Sequence, residues 1–297
     1  TGLASLDSLC QRSIPDFLIT NLENSGFLRV TTWERMTDIL GQMGKKNAAS
    51  MSESDGFEVC RREGIKFIVT GSLSKSGETF GTNLMVYDAE TKDLIKPLTS
   101  MGRGESSILE SQIDELSRGI CAGLGIGEDK LQAKPFRIAD VFTSSLEASR
   151  YYFQGLDLAW HYKWREALPL FEKAVAADPS FASAHFHMAW ILFQFQDLKA
   201  YEKAAAQTKR LMGRTTEKER LYIQGWLSAF EGDRERMRSV VEELLAKYPK
   251  EKSGHYQMSR YWQGSNDYER AIEEMKIVLN LDPDFADAYN MLALYYE

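Results

Sequence analysis

"AVAADPSF" (174–181) and "IVLNLDPDF" (277–285) end in the same way, a helical apolar run followed by Asp-Pro-x-Phe. "ELLAKYPKE" (243–251) is a looser third copy. Proline cannot continue a helix, and its fixed φ suits the start of the next turn, so each stretch reads as a helix stop. The stops are spaced regularly. Pro249 and Pro283 lie 34 residues apart, and Pro179 and Pro249 lie 70 apart, which is two units of 34 plus two extra residues. A proline that merely ends a helix predicts no period. A period predicts a joint between repeated helical units.

Laying a 34-residue frame over the C-terminal half fills its small and aromatic positions in turn. Residues 148–181 supply Tyr151, Gly155, Leu158, Ala167, Phe171, Ala174 and Pro179. Residues 218–251 supply Leu221, Gly225, Val241 and Pro249, and residues 252–285 supply His255, Met258, Trp262, Ala271, Met275 and Pro283. The unit 182–217 opens with His185, Met188, Ala189 and Leu192, then takes an insertion of two and lacks the proline. A partial unit, 286–297, carries Tyr289, Leu292, Ala293 and Tyr296. This pattern resembles the tetratricopeptide-repeat (TPR) proteins. The resemblance implies an all-α superhelix over 148–297, built of helical hairpins that bury their faces only against neighbouring hairpins.

The first half reads differently. "FLRVT" (27–31) and "KFIVTGSLS" (66–74) are β-branched runs, and "FGTNLMVYDAETKDLIKPLTSMGR" (80–103) alternates and turns at Asp88–Asp93, which predicts a hairpin. Helical patterns cover roughly 4–24, 33–41, 54–63 and 106–123. For the last of these, Ser106 or Ser107 is the expected cap, with Glu110 reaching back, and Gly123 or Gly125 the expected stop. Mixed helices and strands predict an α/β layer domain over residues 1–128. Residues 129–147 follow as a linker, ending in the capping signature Ser144-Ser145-Leu146-Glu147. "ITNLENSGFLRVTTWERMTDIL" and "GIKFIVTGSLSKSGETFGTNLMVYDAETKDLI", followed by a Leu-containing closing helix, resemble the TolB amino-terminal-like domain, related to the CsgG and FlgO families. That resemblance implies a bacterial chain and a sensory or docking role through ligand or partner contact, without catalysis. It favours a periplasmic or other extracytoplasmic setting over the cytoplasm.

Composition narrows the function classes. A length of 297 residues makes two domains the natural division, and 43% apolar with 27% charged residues is the make-up of a globular chain with a core. The net charge of −7 argues against a nucleic-acid partner. No run of 18 apolar residues provides a membrane segment. The chain opens on Thr1 with no signal-peptide pattern, and we expect a fragment of something longer or a processed form. Cys10, Cys60 and Cys121 are odd in number and far apart, which excludes a disulfide framework and a CxxC metal site and predicts buried thiols.

No catalytic constellation emerges. "GQMGKKN" (41–47) has two residues between its glycines where a phosphate loop needs four, and it follows a helix. A KH-type clamp would join two helices directly at that loop. "GLGIGE" (123–128) reads as a helix stop. His185 and His187 are two apart on a helix and point away from each other, and His185 and His255 fall at a helix-packing position. Carboxylate pairs such as Glu242-Glu243 lie on solvated faces. We expect no enzyme within these residues, no cofactor and no metal.

A binding surface is the stronger reading. By the TPR resemblance, positions 2, 5, 6, 9, 12 and 13 of each first helix line a concave groove. These positions hold Tyr152 and Trp160, then Phe186, Trp190 and Phe193, then Tyr222, Trp226 and Phe230, then Tyr256. Aromatic rings offer large contact area at small entropic cost. The stripe is therefore either a groove for a peptide or partner protein, or a face covered by the chain's own linker, α/β domain or a further helix. The carboxylate clamp by which some TPR proteins hold acidic chaperone tails would need cationic and amide residues where this chain has Tyr152, Leu156, His187, Glu219 and Ile223, so all five positions argue against that partner class. Lys209, Arg210, Arg214, Lys218 and Arg220 form a basic cluster on a helix edge and loop. The resulting expectation is a non-catalytic protein–protein interaction scaffold. The alternative is the regulatory portion of a larger bacterial signalling enzyme, such as a receptor-like kinase or adenylate cyclase, whose catalytic domain lies outside these residues.

Overall fold

A computed structural model describes residues 12–45, 51–133 and 137–296. The chain divides into two compact units: Thr1–Met36 with Asn47–Thr216, and Thr37–Lys46 with Glu217–Glu297.

The first unit opens with helix α1 (Ile14–Ser25) and the start of α2 (Trp33–Gln42), then α3 (Glu53–Glu63). Pro15 sits in the first turn of α1, and a full capping box starts α3: Ser52 accepts from the N–H of Asp55, whose carboxylate accepts from the N–H of Ser52. A three-stranded antiparallel meander follows, β1 (Phe67–Ser76), β2 (Thr79–Asp88) and β3 (Leu94–Arg103), in the order β1-β2-β3. The expected turn at Asp88–Asp93 is present: the Asp88 N–H donates to Asp93 O, and the Asp88 carboxylate accepts from the N–H groups of Glu90 and Thr91. Phe80, Thr82, Leu84 and Val86 alternate along β2 and are buried on the face covered by α4 (Ile113–Gly123).

Two expectations for this half are corrected. Residues 27–31 form no strand. Phe27, Leu28 and Val30 pack on the core as irregular chain, and the sheet pairs only β1, β2 and β3. Neither Ser106 nor Ser107 caps the helix that follows. The chain enters α4 through a π-helical turn at Ile108–Gln112, and the Ser107 hydroxyl donates to Gly104 O. The reason lies in Gln112, which is fully buried. Its amide donates to Ser107 Oγ (2.9 Å) and Phe80 O (3.2 Å) and accepts from Thr82 Oγ1 (2.8 Å), so Ser107 is held facing the sheet. The stop at the end of α4 is as expected, with Gly125 at φ 85° and the Ile126 N–H returning to Cys121 O.

The stretch 129–147 carries two short helices, α5 (Glu128–Ala133) and α6 (Ile138–Val141), and buries Leu131, Ile138 and Phe142. Ser145 caps α7 by accepting from the Ala148 N–H (3.1 Å), as its capping signature predicts. Two helical hairpins complete the first unit: α7 (Leu146–Trp160) with α8 (Trp164–Ala177), and α9 (Ala182–Gln194) with α10 (Leu198–Leu211). One continuous core runs from Phe17 and Ile113 through Phe142 to Tyr152, Phe171 and Phe181. Gly155 lets α7 approach α8 closely, since a Cβ there would stand 2.9 Å from the Phe171 ring. Where the other repeats have their proline, the second repeat has a 3₁₀ turn, Met212–Arg214.

The second unit contains two more hairpins, α11 (Glu217–Phe230) with α12 (Arg234–Lys247) and α13 (Lys252–Gly264) with α14 (Tyr268–Leu281), and the final helix α15 (Ala286–Tyr296). Met237, Val241, Met258 and Tyr261 form one small core, and Ala271, Met275, Val278, Ala288 and Tyr295 another. The C-terminal part of α2 belongs to this unit. Asp38 pairs with Lys252 (3.2 Å), and the Gln42 amide donates to Leu281 O (3.4 Å).

The repeated joints share one geometry. His185 Nε2 lies 3.0 Å from Pro179 O, His255 Nε2 3.0 Å from Pro249 O, and the Tyr289 hydroxyl donates to Pro283 O at 3.0 Å. In each case the fourth residue of a repeat, six past the proline, ties down the carbonyl that the helix stop leaves open. The turns inside the hairpins also repeat, with Tyr162, Gln196, Gly232 and Asn266 all left-handed at the same repeat position. The C-terminal half is thus TPR-like in element order, joint and turn.

Candidate functional site

The nine aromatic residues of the stripe lie on the first helices of the four hairpins, in environments that differ between the two units. In the first unit, Tyr152 and Phe186 are buried. The Tyr152 ring touches Phe181 (4.7 Å), Phe142 (5.6 Å), His187 (5.6 Å) and Phe171 (5.9 Å), so it is spent on the core. Trp190 is half-buried, edge-on to Trp164 at 5.3 Å, and Phe193 is half-buried against Tyr201 at 5.3 Å. Trp160 is 46% exposed, with the Arg12 guanidinium over its ring. Here the chain covers the beginning of its own stripe: Phe17 of α1 packs on Phe142 and Phe153, and Phe142 comes from the stretch before α7.

In the second unit, Tyr222, Trp226, Phe230 and Tyr256 are all half-buried. Trp226 stacks on Phe230 (5.6 Å) and leans on Tyr256 (6.1 Å), which meets Phe285 edge-on (5.7 Å). The row therefore continues into Phe285, the aromatic of an Asp-Pro-x-Phe joint, which the frame positions alone did not mark as part of the stripe. The indole N–H of Trp226 is shielded from water and has no hydrogen-bond acceptor in the structure.

Gly41 and Gly44 end α2. The N–H groups of Met43, Gly44 and Lys45 go to Ile39 O, Gly41 O and Leu40 O, so they are not available to a phosphate, and Lys46 lies outside the described residues. Burial pushes the pKa of His187 down to about 3 against the rings of Phe171, Tyr152 and Phe186, which keeps it neutral. Burial also holds His185 below its usual range. No group of three or more His, Cys, Asp or Glu side chains placed to hold a metal occurs among the described residues. Cys60 and Cys121 are buried free thiols with raised pKa values, again from burial, and Cys10 lies outside the described residues. No helix among the described residues is long and apolar enough to cross a membrane.

The basic residues of the cluster have their own roles. Arg214 donates to Ala139 O (2.8 Å), and Lys218 pairs with Glu251 (2.8 Å) with its ammonium over the Tyr248 ring. Lys209 and Arg210 are exposed. Of the residues that fill the clamp positions, Tyr152, Leu156 and Ile223 are buried, and Glu219 is a half-buried anion.

No protein-family model matches the chain, and no curated protein is a significant match. Among solved structures, the chain is similar to crystallised MamA at 17% identity, covering 50% of this chain and 81% of that one with a TM-score of 0.32. It is similar to MamA residues 41-end from Desulfovibrio magneticus RS-1 at 18% identity, covering 51% and 84% with a TM-score of 0.34. It is also similar to YrrB, described as a TPR protein with an unusual peptide-binding site, at 16% identity, covering 49% and 74% with a TM-score of 0.31.

Proposed function

We propose that this chain is a non-catalytic interaction scaffold whose repeat helices capture a segment of a partner protein, with residues 1–128 serving as a sensory or docking domain. The single observation carrying this reading is the row Phe230, Trp226, Tyr256 and Phe285 in the second unit. Its rings contact one another in succession, and an indole N–H within it lacks an acceptor. Aromatic rings in successive contact offer large apolar anchors of the kind that dominate binding surfaces. Trp226 and its neighbours are not needed to close the hairpins, because Leu221, Gly225, Val241 and Leu244 occupy the buried positions between α11 and α12. In the first unit Trp160, Trp190 and Phe193 are the stripe residues that reach the surface, since Tyr152 and Phe186 lie inside.

The test is selection of peptides from a display library on the immobilised full chain, with the Trp190→Ala/Trp226→Ala double variant as counter-screen. The proposal expects enriched peptides that bind the parent chain and lose at least about tenfold in affinity on the folded variant, the size of one lost anchor. Enrichment of no peptide, or peptides indifferent to both substitutions, overturns it.

A further inference from the structure

In the first unit, one guanidinium sits among three aromatic rings. The Arg12 Cζ lies 5.1 Å from the Trp33 ring, 5.3 Å from Trp160 and 5.4 Å from Phe153. Its Nε is 2.8 Å from Oδ2 of Asp16. Three ring faces around one cation, with a carboxylate at its side, form an aromatic cage, the arrangement by which proteins hold organic cations. The rings come from three places in the chain: α2, the middle of α7 and the end of α7. Phe153 is fixed from behind by Phe142 (5.9 Å, stacked) and Tyr152 (5.5 Å). The Trp160 wall is 46% exposed, so the cage opens to solvent on that side. Arg12 lies in the helical turn that leads into α1, with its side chain 22% exposed.

We propose that Trp33, Phe153 and Trp160 form a binding site for the guanidinium of an arginine on a partner polypeptide, in which Arg12 is a resident occupant that a partner displaces. The occupant itself indicates the ligand class, because a planar, weakly hydrated cation matches stacked rings better than a compact ammonium does. Asp16 stands beside the cation. Burial raises its pKa to about 7, while the Arg12 charge pulls it down, so a cation in the cage favours the ionised carboxylate. The inference depends on the scaffold reading only in taking the cation from a partner chain.

The experiment titrates N-acetyl-arginine amide into the full-length chain and its Arg12→Ala variant, following tryptophan fluorescence, with N-acetyl-norleucine amide as the uncharged control. The expected result is a saturable response in Arg12→Ala, weaker by at least about tenfold in the parent chain because the site is occupied. The response should be absent with the control and absent in Arg12→Ala/Trp160→Leu. A folded Arg12→Ala chain with no saturable response, or one that responds no better than the parent, overturns the proposal. Arg12→Met keeps the aliphatic stem; if neither Arg12 variant folds, Arg12 is a core residue and not a displaceable occupant, and the proposal fails. Because the readout is a small probe at Trp160, its failure is distinguishable from failure of peptide capture at Trp190 and Trp226.

Discussion

Nδ1 of His255 lies 2.6 Å from Oε2 of Glu274, which places an ion pair across the hairpin formed by α13 and α14. The other ring nitrogen, Nε2, lies 3.0 Å from Pro249 O, and a carbonyl only accepts, so Nε2 carries a proton. A ring that donates on both sides is an imidazolium.

The pH dependence follows from that pair. Burial pulls the His255 pKa down, but the Glu274 hydrogen bond, the Pro249 carbonyl and the charges of Glu274 and Glu251 together raise it above its ordinary 6.5. A folded pKa above the unfolded one contributes stability that is fully present below about pH 6.5 and is lost as pH rises through the folded value. The urea midpoint of the parent chain should therefore fall through this pair as pH rises from below 6.5 through the folded pKa. In Glu274→Gln that component should shrink. An identical pH profile in parent and variant would show that the pair does not act in folding.

The hairpin turns predict a stabilising substitution. Asp197, Asp233 and Asp267 each cap the second helix of their hairpin, accepting from the N–H groups of Ala200, Arg236 and Arg270. Lys163 holds the same place in the first hairpin and makes no side-chain cap. Its backbone, φ −85° and ψ 53°, is close to that of Asp197 at φ −81° and ψ 74°. Lys163→Asp should stabilise the chain by about 1 kcal/mol, read as a raised urea midpoint. Lys163→Ala should not reproduce the gain.

The packing between α7 and α8 predicts a loss. Ala167 is fully buried one turn before Phe171, whose ring lies against Gly155. Ala167→Leu should cost about 1–3 kcal/mol, because three added heavy atoms have no void to enter. Unchanged thermal unfolding in that variant would mean the helices do not pack through this position.

The helix stops at Pro179, Pro249 and Pro283 were legible in the sequence because they recur in one frame, whereas Pro169 lies inside α8 without ending it, so the period marks a stop where proline alone does not. The capping of α7 by Ser145 was legible from its local signature. Residues 27–31 have strand composition, yet Phe27, Leu28 and Val30 are taken up by a core assembled from distant segments, and no local pattern encodes that. Tyr162 and Gln196 adopt φ near +60° although neither is a turn-forming residue, because the repeat geometry imposes the turn. The aromatic stripe shows the same division. Spacing placed its residues on the first helices, while the burial of Tyr152 under Phe142 and Phe181, and the Arg12 cage at Trp160, depend on segments that sequence spacing does not bring together.

Lys252 supplies the last prediction. Its ammonium lies 2.6 Å from Asp282 and 3.2 Å from Asp38, over the Phe285 ring at 5.0 Å, and all three charged side chains are nearly buried. One cation thus holds two carboxylates: one from the Asp-Pro-x-Phe joint and one from α2. Removing it takes the shared cation from two nearly buried carboxylates, and breaking a buried pair costs far more than the pair contributes over an apolar replacement. Lys252→Met should therefore destabilise the second unit by about 3 kcal/mol. Asp38→Asn, which leaves the Lys252–Asp282 pair intact, should cost less. The two substitutions should share a local signature, since Asp38 and the Gln42–Leu281 hydrogen bond both tie α2 to this unit. Amide exchange at Ile39–Lys45 should quicken about tenfold or more in each, ahead of exchange in α11 and α12. If Lys252→Met speeds exchange evenly across the second unit while Asp38→Asn changes nothing at 39–45, the lysine stabilises the joint alone and α2 is held by its apolar contacts through Ile39 and Leu40.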